Sequence, residues 1–409
     1  MGSRFRSIST RFFDNLEKPQ VAFLLALVIY FLLSILGGNP FRARGAAYFN
    51  YLADAFLHGQ LHLRLLPDYL HDLSVFNGRY YLYGPPMPAI LLMPLVALFG
   101  VNFSDVLFNL LVASANVAVV AALLRAVDRA GVITINAERR GMLVLFFAFG
   151  TVHMVLAPFG RVWFTAQLVG FFLVGLAYLS AIELRGSASF IVTGVLMGCA
   201  MLTRNHLLLT GIWPAYYLIS RYWNDRPRLY LHMAAGLLPV LVMGLLFLNY
   251  NYARFGDPFE LGIRYHQMAD VFVEDYQKYG TFNLYYVPIN FFYQYIAYPF
   301  PLREETLMGG SLFLLSPVFF YVFKGVANGH RTPSIWFLVL SILATSIPIL
   351  LLMGTGWVQY GPRYTLDFTI PLLMLTAVGV QGASRGFLIL LTALSILQYI
   401  PGVIMFSML

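Results

Sequence analysis

Gly84-Pro-Pro-Met-Pro-Ala-Ile-Leu-Leu-Met-Pro-Leu-Val-Ala-Leu-Phe-Gly100 is the stretch on which the topology turns. Its apolar part, residues 87–100, is short of the roughly 20 residues that a helix needs to cross a bilayer. If it crosses, Arg125 and Arg140 fall outside. If it is a juxtamembrane or re-entrant helix, they share the cytoplasmic side with the N-terminus. On the second reading the cytoplasmic segments hold 15 basic and six acidic residues, and the outer segments 11 and 12. Cytoplasmic loops of membrane proteins carry such an excess of Lys and Arg, so the second reading stands.

The residues on either side belong to a membrane protein. Of 409 residues, 59% are hydrophobic and 11% charged, against about 25% charged in a soluble domain. Long apolar runs recur near 20–38, 104–126, 141–158, 164–183, 188–203, 207–220, 230–248, 310–324, 335–353, 367–381 and 386–405. A membrane barrel would instead show short alternating segments. The expected fold is an all-α polytopic membrane protein of about eleven transmembrane helices. It forms one integral membrane domain, 1–409, interrupted by two large outer stretches, 39–103 with juxtamembrane helices and 249–309. Arg4, Arg6, Arg11 and Lys18 precede the first run, which is too long for a typical signal peptide and reads as a retained helix. The lone Cys199 lies in an apolar run, as a core thiol would. The formal charge of +8 comes with no soluble basic domain, so nucleic acid is not a partner. The short cytoplasmic loops hold no phosphate-binding glycine loop, and no Asp-x-Asp occurs.

Chemistry-bearing residues concentrate in the outer stretches. Residues 46–59 read as an amphipathic helix that sets Asp54 and His58 at i and i+4, with Tyr51 a turn earlier. A carboxylate beside an imidazole can accept a proton from a hydroxyl. Asp68, His71 and Asp72 follow. Next comes Asn77-Gly78, a turn signal between short extended runs. Arg161, Arg204, Arg254, Arg264 and Arg363 recur where helices meet the outer surface. Charge there is costly and faces a cavity or a partner, and guanidinium forks suit phosphate. Pairing with Asp257, Glu260 or Asp367 is the plainer account of any one of them. Tyr285, Tyr286, Phe291, Phe292, Tyr293, Tyr295, Tyr298 and Phe300 read as an interfacial belt. His153, His232 and His330 lack metal-ligand spacing.

These residues resemble a known family. Residues 48–100 are similar to the first outer loop of the GT-C glycosyltransferases. Within them the likeness is to the protein O-mannosyltransferase and lipid A aminoarabinose transferase group, glycosyltransferase family 39. The similar pieces are His58-Gly59, Asn77-Gly78, Tyr83-Gly84-Pro85-Pro86 and Phe99-Gly100. Arg161 resembles an Arg of that group's second outer loop, and Thr203-Arg204 its Thr-Lys step. Ala253-Arg254-Phe255-Gly256 and Gly361-Pro362-Arg363-Tyr364 resemble uncharacterised bacterial relatives. The chain departs from the pattern at Arg44-Gly45, where the group has an Asp-Glu pair. It departs again at Gly84, in place of a basic residue, and near residue 166, where an acid is missing.

Residues and resemblance together imply transfer of a sugar from a polyprenyl-phosphate donor to a cell-envelope glycan, lipid or protein acceptor, with inversion. The reaction would take place on the outer face of an inner (plasma) membrane protein whose N-terminus is cytoplasmic. Asp54, and after it Asp72, are the expected bases. Arg161, Arg204, Arg264 and Arg363 are expected on the donor phosphate, and His58, Tyr83, Arg254 and Tyr364 on acceptor or sugar. No metal or cofactor is called for. Two rivals stay open. One is an O-antigen ligase or polymerase with a diphosphate-linked donor, which paired Arg254 and Arg264 would suit. The other is a lipid or solute transporter.

Overall fold

Pro19 opens the first long helix, α1 (Pro19–Leu36), at the position where a missing N–H costs nothing. The computed structural model describes residues 10–303, 306–354 and 356–408. After α1 the chain forms a loop helix, α2 (Tyr48–Leu57), and a hairpin, β1 (Leu73–Phe76) with β2 (Arg79–Leu82). A short apolar helix follows, α3 (Met87–Phe99). Then come α4 (Asp105–Arg129), α5 (Ala137–Phe149), α6 (Val162–Glu183), α7 (Gly186–Met201), α8 (Ile212–Arg221) and α9 (Arg226–Phe255). The C-terminal part holds α10 (Asp270–Tyr279), α11 (Tyr321–Gly329), α12 (Pro333–Leu351), α13 (Thr369–Gly379) and α14 (Arg385–Met408). Two-residue strands β3 (Met308–Gly309) and β4 (Gln359–Tyr360) pair in parallel.

Helix occupies every position where an apolar run predicts it. Among the described residues seven helical segments are long and apolar enough to cross a membrane: α1, α4, α6, α9, α12, Arg363–Gly382 and α14. The other four are shorter or broken. Helix α5 stops at Gly150 and resumes as the single turn His153–Leu156. Helix α7 has 16 residues, and α8 is preceded by the 3-10 stretch Asn205–Gly211. The run at 310–324 is divided at Ser316 into Leu312–Leu315 and a 3-10 turn that leads into α11. Helix α3 has 13 residues, fewer than the roughly 20 that cross a bilayer. Helix α9 overruns its predicted end at 248 and reaches Phe255, so the second large loop begins about two turns later than the sequence suggests.

Small residues let the helices touch. A side chain at Gly194 of α7 would strike the backbone oxygen of Gly236 in α9, and one at Gly379 would strike the oxygen of Tyr321 in α11. Close backbone approach of this kind replaces the hydrophobic drive that lipid cannot supply. Some polar side chains inside the bundle tie distant helices together. Tyr30 donates to the Ala148 carbonyl at 2.7 Å and meets His153 Nδ1 at 2.9 Å.

Charge separates along the bundle. At one end Arg140 binds Glu17 and Asp128, Arg385 binds Glu138, and Arg129 binds Glu183. These ties gather the segments that the charge asymmetry assigns to the cytoplasm. Helix α1 leads from that end to the loops that carry the hairpin.

Candidate functional site

The hairpin is built by its turn. Asn77 and Gly78 both adopt positive φ, at 50° and 72°, which matches the twist of the paired strands. The register pairs Leu73 with Leu82, so Asp72 and Tyr83 flank the open end together. Tyr83-Gly84-Pro85-Pro86 then locks onto distant chain. Gly84 N–H donates to the Leu261 carbonyl at 2.9 Å, and Met87 N–H to the Leu202 carbonyl at 2.8 Å. The same stretch that decides the topology thereby fastens the first loop to the second loop and to the approach of Arg204.

Between these segments lies a cavity of about 900 Å3. Asp72, Tyr83, Arg161, Arg204, Arg363 and Tyr364 line it. The guanidinium carbons of Arg204 and Arg363 lie 4.8 and 4.4 Å from the centre of the Tyr364 ring. Two cations far apart in sequence therefore lie within about one Debye length of each other. Arg363 is held by neutral groups. It donates to Gln359 Oε1 at 2.7 Å and to the Tyr364 hydroxyl at 3.2 Å, and Gln167 Oε1 is 3.4 Å away. Arg204 shares the carboxylate of Asp367, its Nε 3.0 Å from Oδ2, while His206 Nε2 approaches the same oxygen at 2.7 Å. Asp367 is 1% exposed and its Oδ1 has no hydrogen-bond partner. Arg161 rests on the Phe406 ring at 5.1 Å. Burial, and then the positive charge of Arg44, push its pKa down. This wall of the cavity thus carries more guanidinium charge than carboxylate.

Asp72 also lines the cavity, in left-handed backbone at φ 65°, a conformation that non-glycine residues adopt sparingly. His266 Nε2 sits 3.1 Å from Asp72 Oδ1, and His71 Nε2 at 3.8 Å. The Tyr83 and His266 rings are 4.5 Å apart. Burial raises the Tyr83 pKa, Asp72 and Tyr364 add to the rise, and Arg363 and Trp163 oppose it, so the phenol keeps its proton. The remaining wall is apolar, with Leu208, Phe272, Phe282, Pro348, Leu352 and Trp357 among its residues.

Four expected site residues lie elsewhere. Asp54 is gripped by Arg64 in a two-pronged ion pair at 2.9 and 3.0 Å, and it does not line the cavity. Both of its oxygens are taken up by Arg64 and neither opens on the cavity, which removes the reason for ranking it first. His58 turns its Nδ1 to its own helix, 2.8 Å from the Asp54 carbonyl oxygen. Arg254 is buried beneath the hairpin, where it donates to the Leu82 carbonyl and to Asn251 Oδ1, both at 2.8 Å. It holds the end of β2 in place. Arg264 is exposed and outside the cavity, so Arg254 and Arg264 do not form the pair that a diphosphate would need. Arg44, at the place of the family's acidic pair, gives its backbone N–H to Asp105 and does not line the cavity. Conversely, His206, His266 and Asp367 line or support the cavity and carried no sequence signal beyond their proximity to arginines. Their pairing is made only by the fold.

No family model matches the sequence, and no curated protein matches it. Solved structures do. ArnT from Cupriavidus metallidurans, in a crystal structure bound to undecaprenyl phosphate, superposes with a TM-score of 0.52 at 16% identity. The match covers 90% of this chain and 62% of ArnT. The Archaeoglobus fulgidus oligosaccharyltransferase, tethered to an acceptor peptide, superposes with a TM-score of 0.52 at 15% identity, over 94% of this chain and 54% of its own. The chain therefore spans less than two thirds of the length of either. Both have the GT-C fold, and the chain is a polytopic helical membrane protein that shares it.

Proposed function

We propose that this protein transfers a sugar from a polyprenyl-phosphate carrier to a hydroxyl-bearing acceptor of the cell envelope, on the outer face of the plasma membrane. The observation that carries this reading is the cavity. One wall sets Arg204 and Arg363 on the Tyr364 ring, with Arg161 nearby. Asp72 lines the same cavity, and apolar side chains suited to a prenyl chain complete it. Arginines with few carboxylates suit a phosphate, and fixed positive charge stabilises it as a leaving group.

Asp72 takes the proton of the acceptor hydroxyl as the oxygen attacks the anomeric carbon. The bond from that carbon to the phosphate oxygen breaks, its electron pair stays on the phosphate, and the configuration inverts. Asp72 takes this role rather than Asp54 because its carboxylate opens on the cavity and faces imidazole rather than guanidinium. The shared fold of a protein crystallised with undecaprenyl phosphate supports the donor class.

Undecaprenyl phosphate is the probe that tests this. Native mass spectrometry of the purified protein should retain one molecule of it. The Arg204→Ala, Arg363→Ala double variant should lose it while remaining folded. Retention that ignores both arginines would sink the reading.

A further inference from the structure

His206 plays no part in that scheme, yet it lines the cavity beside Arg204 and Arg363. Its Nε2 is fixed on the buried Asp367 at 2.7 Å, and among the described residues its Nδ1 has no hydrogen-bond partner. Asp367 cannot be only a counterion for Arg204, since one of its oxygens serves both cation and ring while the other is unpaired. A buried carboxylate shared in this way fixes the orientation of the imidazole beside Arg204. The charged and titratable groups around it are Asp367 and Arg363 from the segment before α13, Arg204 from its own turn, and Arg161 at the start of α6. Asp72, His71, His266, Tyr83 and Tyr364 line the same cavity.

We propose that His206 is a proton-coupled cation that joins the three arginines of the anion seat, and that it tunes the seat to a phosphate monoester at the end of a polyprenyl chain. This rests on the cavity being a phosphate site. A sugar-bearing phosphodiester carries one negative charge. The monoester left after transfer gains a second above a pKa of about 6. Arg204, Arg363 and Arg161 are fixed charges and cannot follow that change, whereas an imidazole can. Proton uptake and anion binding are then linked, and the linkage is reciprocal. The bound anion draws a proton to His206, so lower pH tightens binding, beyond any change in the ligand's own charge.

The experiment measures undecaprenyl phosphate affinity from pH 6 to pH 8 for the wild type, His206→Gln and His206→Lys. The ligand titrates identically in all three, so ratios of affinities report the protein alone. Gln can still donate to Asp367, which keeps the local fold. The wild-type to Gln ratio should rise about tenfold from pH 8 to pH 6, within the usual range of coupling between two sites. The Lys variant should bind tightly throughout, with a Lys to Gln ratio that stays flat from pH 8 to pH 6. A flat wild-type to Gln ratio, with binding still dependent on Arg204 and Arg363, overturns the role of His206 and leaves the donor site standing. Binding indifferent to both arginines overturns both proposals. Inorganic phosphate at matching concentration should leave the lipid bound. Equal displacement would make the ligand a free phosphate and overturn the lipid assignment.

Discussion

Asp54 and Asp72 belong to the same loop and differ in what neutralises them. Asp54 faces a guanidinium in a forked pair, and Asp72 faces the imidazole of His266. Their substitutions should therefore separate stability from chemistry. Asp54→Asn removes the charge of a partly exposed ion pair and should lower the midpoint of thermal unfolding slightly, with transfer retained. Asp72→Asn should leave the midpoint nearly unchanged. It should slow transfer from a polyprenyl-phosphate sugar by about 10²–10⁴-fold, the usual contribution of a positioned base. Equal loss of transfer in both variants would mean that the loop, and not the Asp72 carboxylate, is what matters. The sequence pointed to Asp54 because His58 follows it at helical spacing. It could not show Arg64, which reaches back from beyond the helix end. Nor could it show that His266, far along the chain, would be bridged to Ser74 and brought against Asp72.

At the scale of elements, hydropathy locates the helices but not their interruptions. A single Gly150, or Ser316 with Pro317, sits inside an unbroken apolar run, and the run reads through it. Helix α9 was cut short for the opposite reason. Asn249, Asn251 and Arg254 look like the exit from a membrane, but the helix buries Asn251 and Arg254 against the loops, where Asn251 Nδ2 donates to the Pro258 carbonyl at 3.1 Å and Arg254 to Leu82. The turn at Asn77-Gly78 was legible because its chemistry is local. The crossing of α7 and α9 was not, since neither Gly194 nor Gly236 announces a partner. A bulky residue at that crossing has nowhere to go. Gly194→Leu should lower stability by about 3 kcal/mol or more, at or beyond the upper end of ordinary overpacking costs. Thermal unfolding in detergent would read this loss. Gly59→Ala, where a Cβ meets nothing within 4 Å, should cost only the strain of its positive φ.

At the scale of the whole molecule, the ion pairs of Arg140, Arg385 and Arg129 lie at one end of the bundle and the cavity loops beyond the other end of α1. The charge asymmetry gives this arrangement a direction. With Cys199 replaced by Ser, a cysteine at Asn77 should react with an impermeant maleimide applied to intact cells, and one at Ala137 only after permeabilisation. The reverse pattern would put the site on the cytoplasmic side, where soluble nucleotide sugars could reach it, and a lipid carrier would lose its rationale. The two-residue turn of the hairpin has a further consequence for how this protein can vary by descent. Strand residues alternate between faces, so one codon gained or lost within either strand would turn Asp72 or Tyr83 away from its neighbour. An insertion between Asn77 and Gly78, by contrast, can loop out at the exposed tip and leave both flanks in register. Insertions in this loop should accumulate among natural homologues between Asn77 and Gly78 and be purged within the strands on either side. The same tip is where an inserted reporter would be silent toward the chemistry.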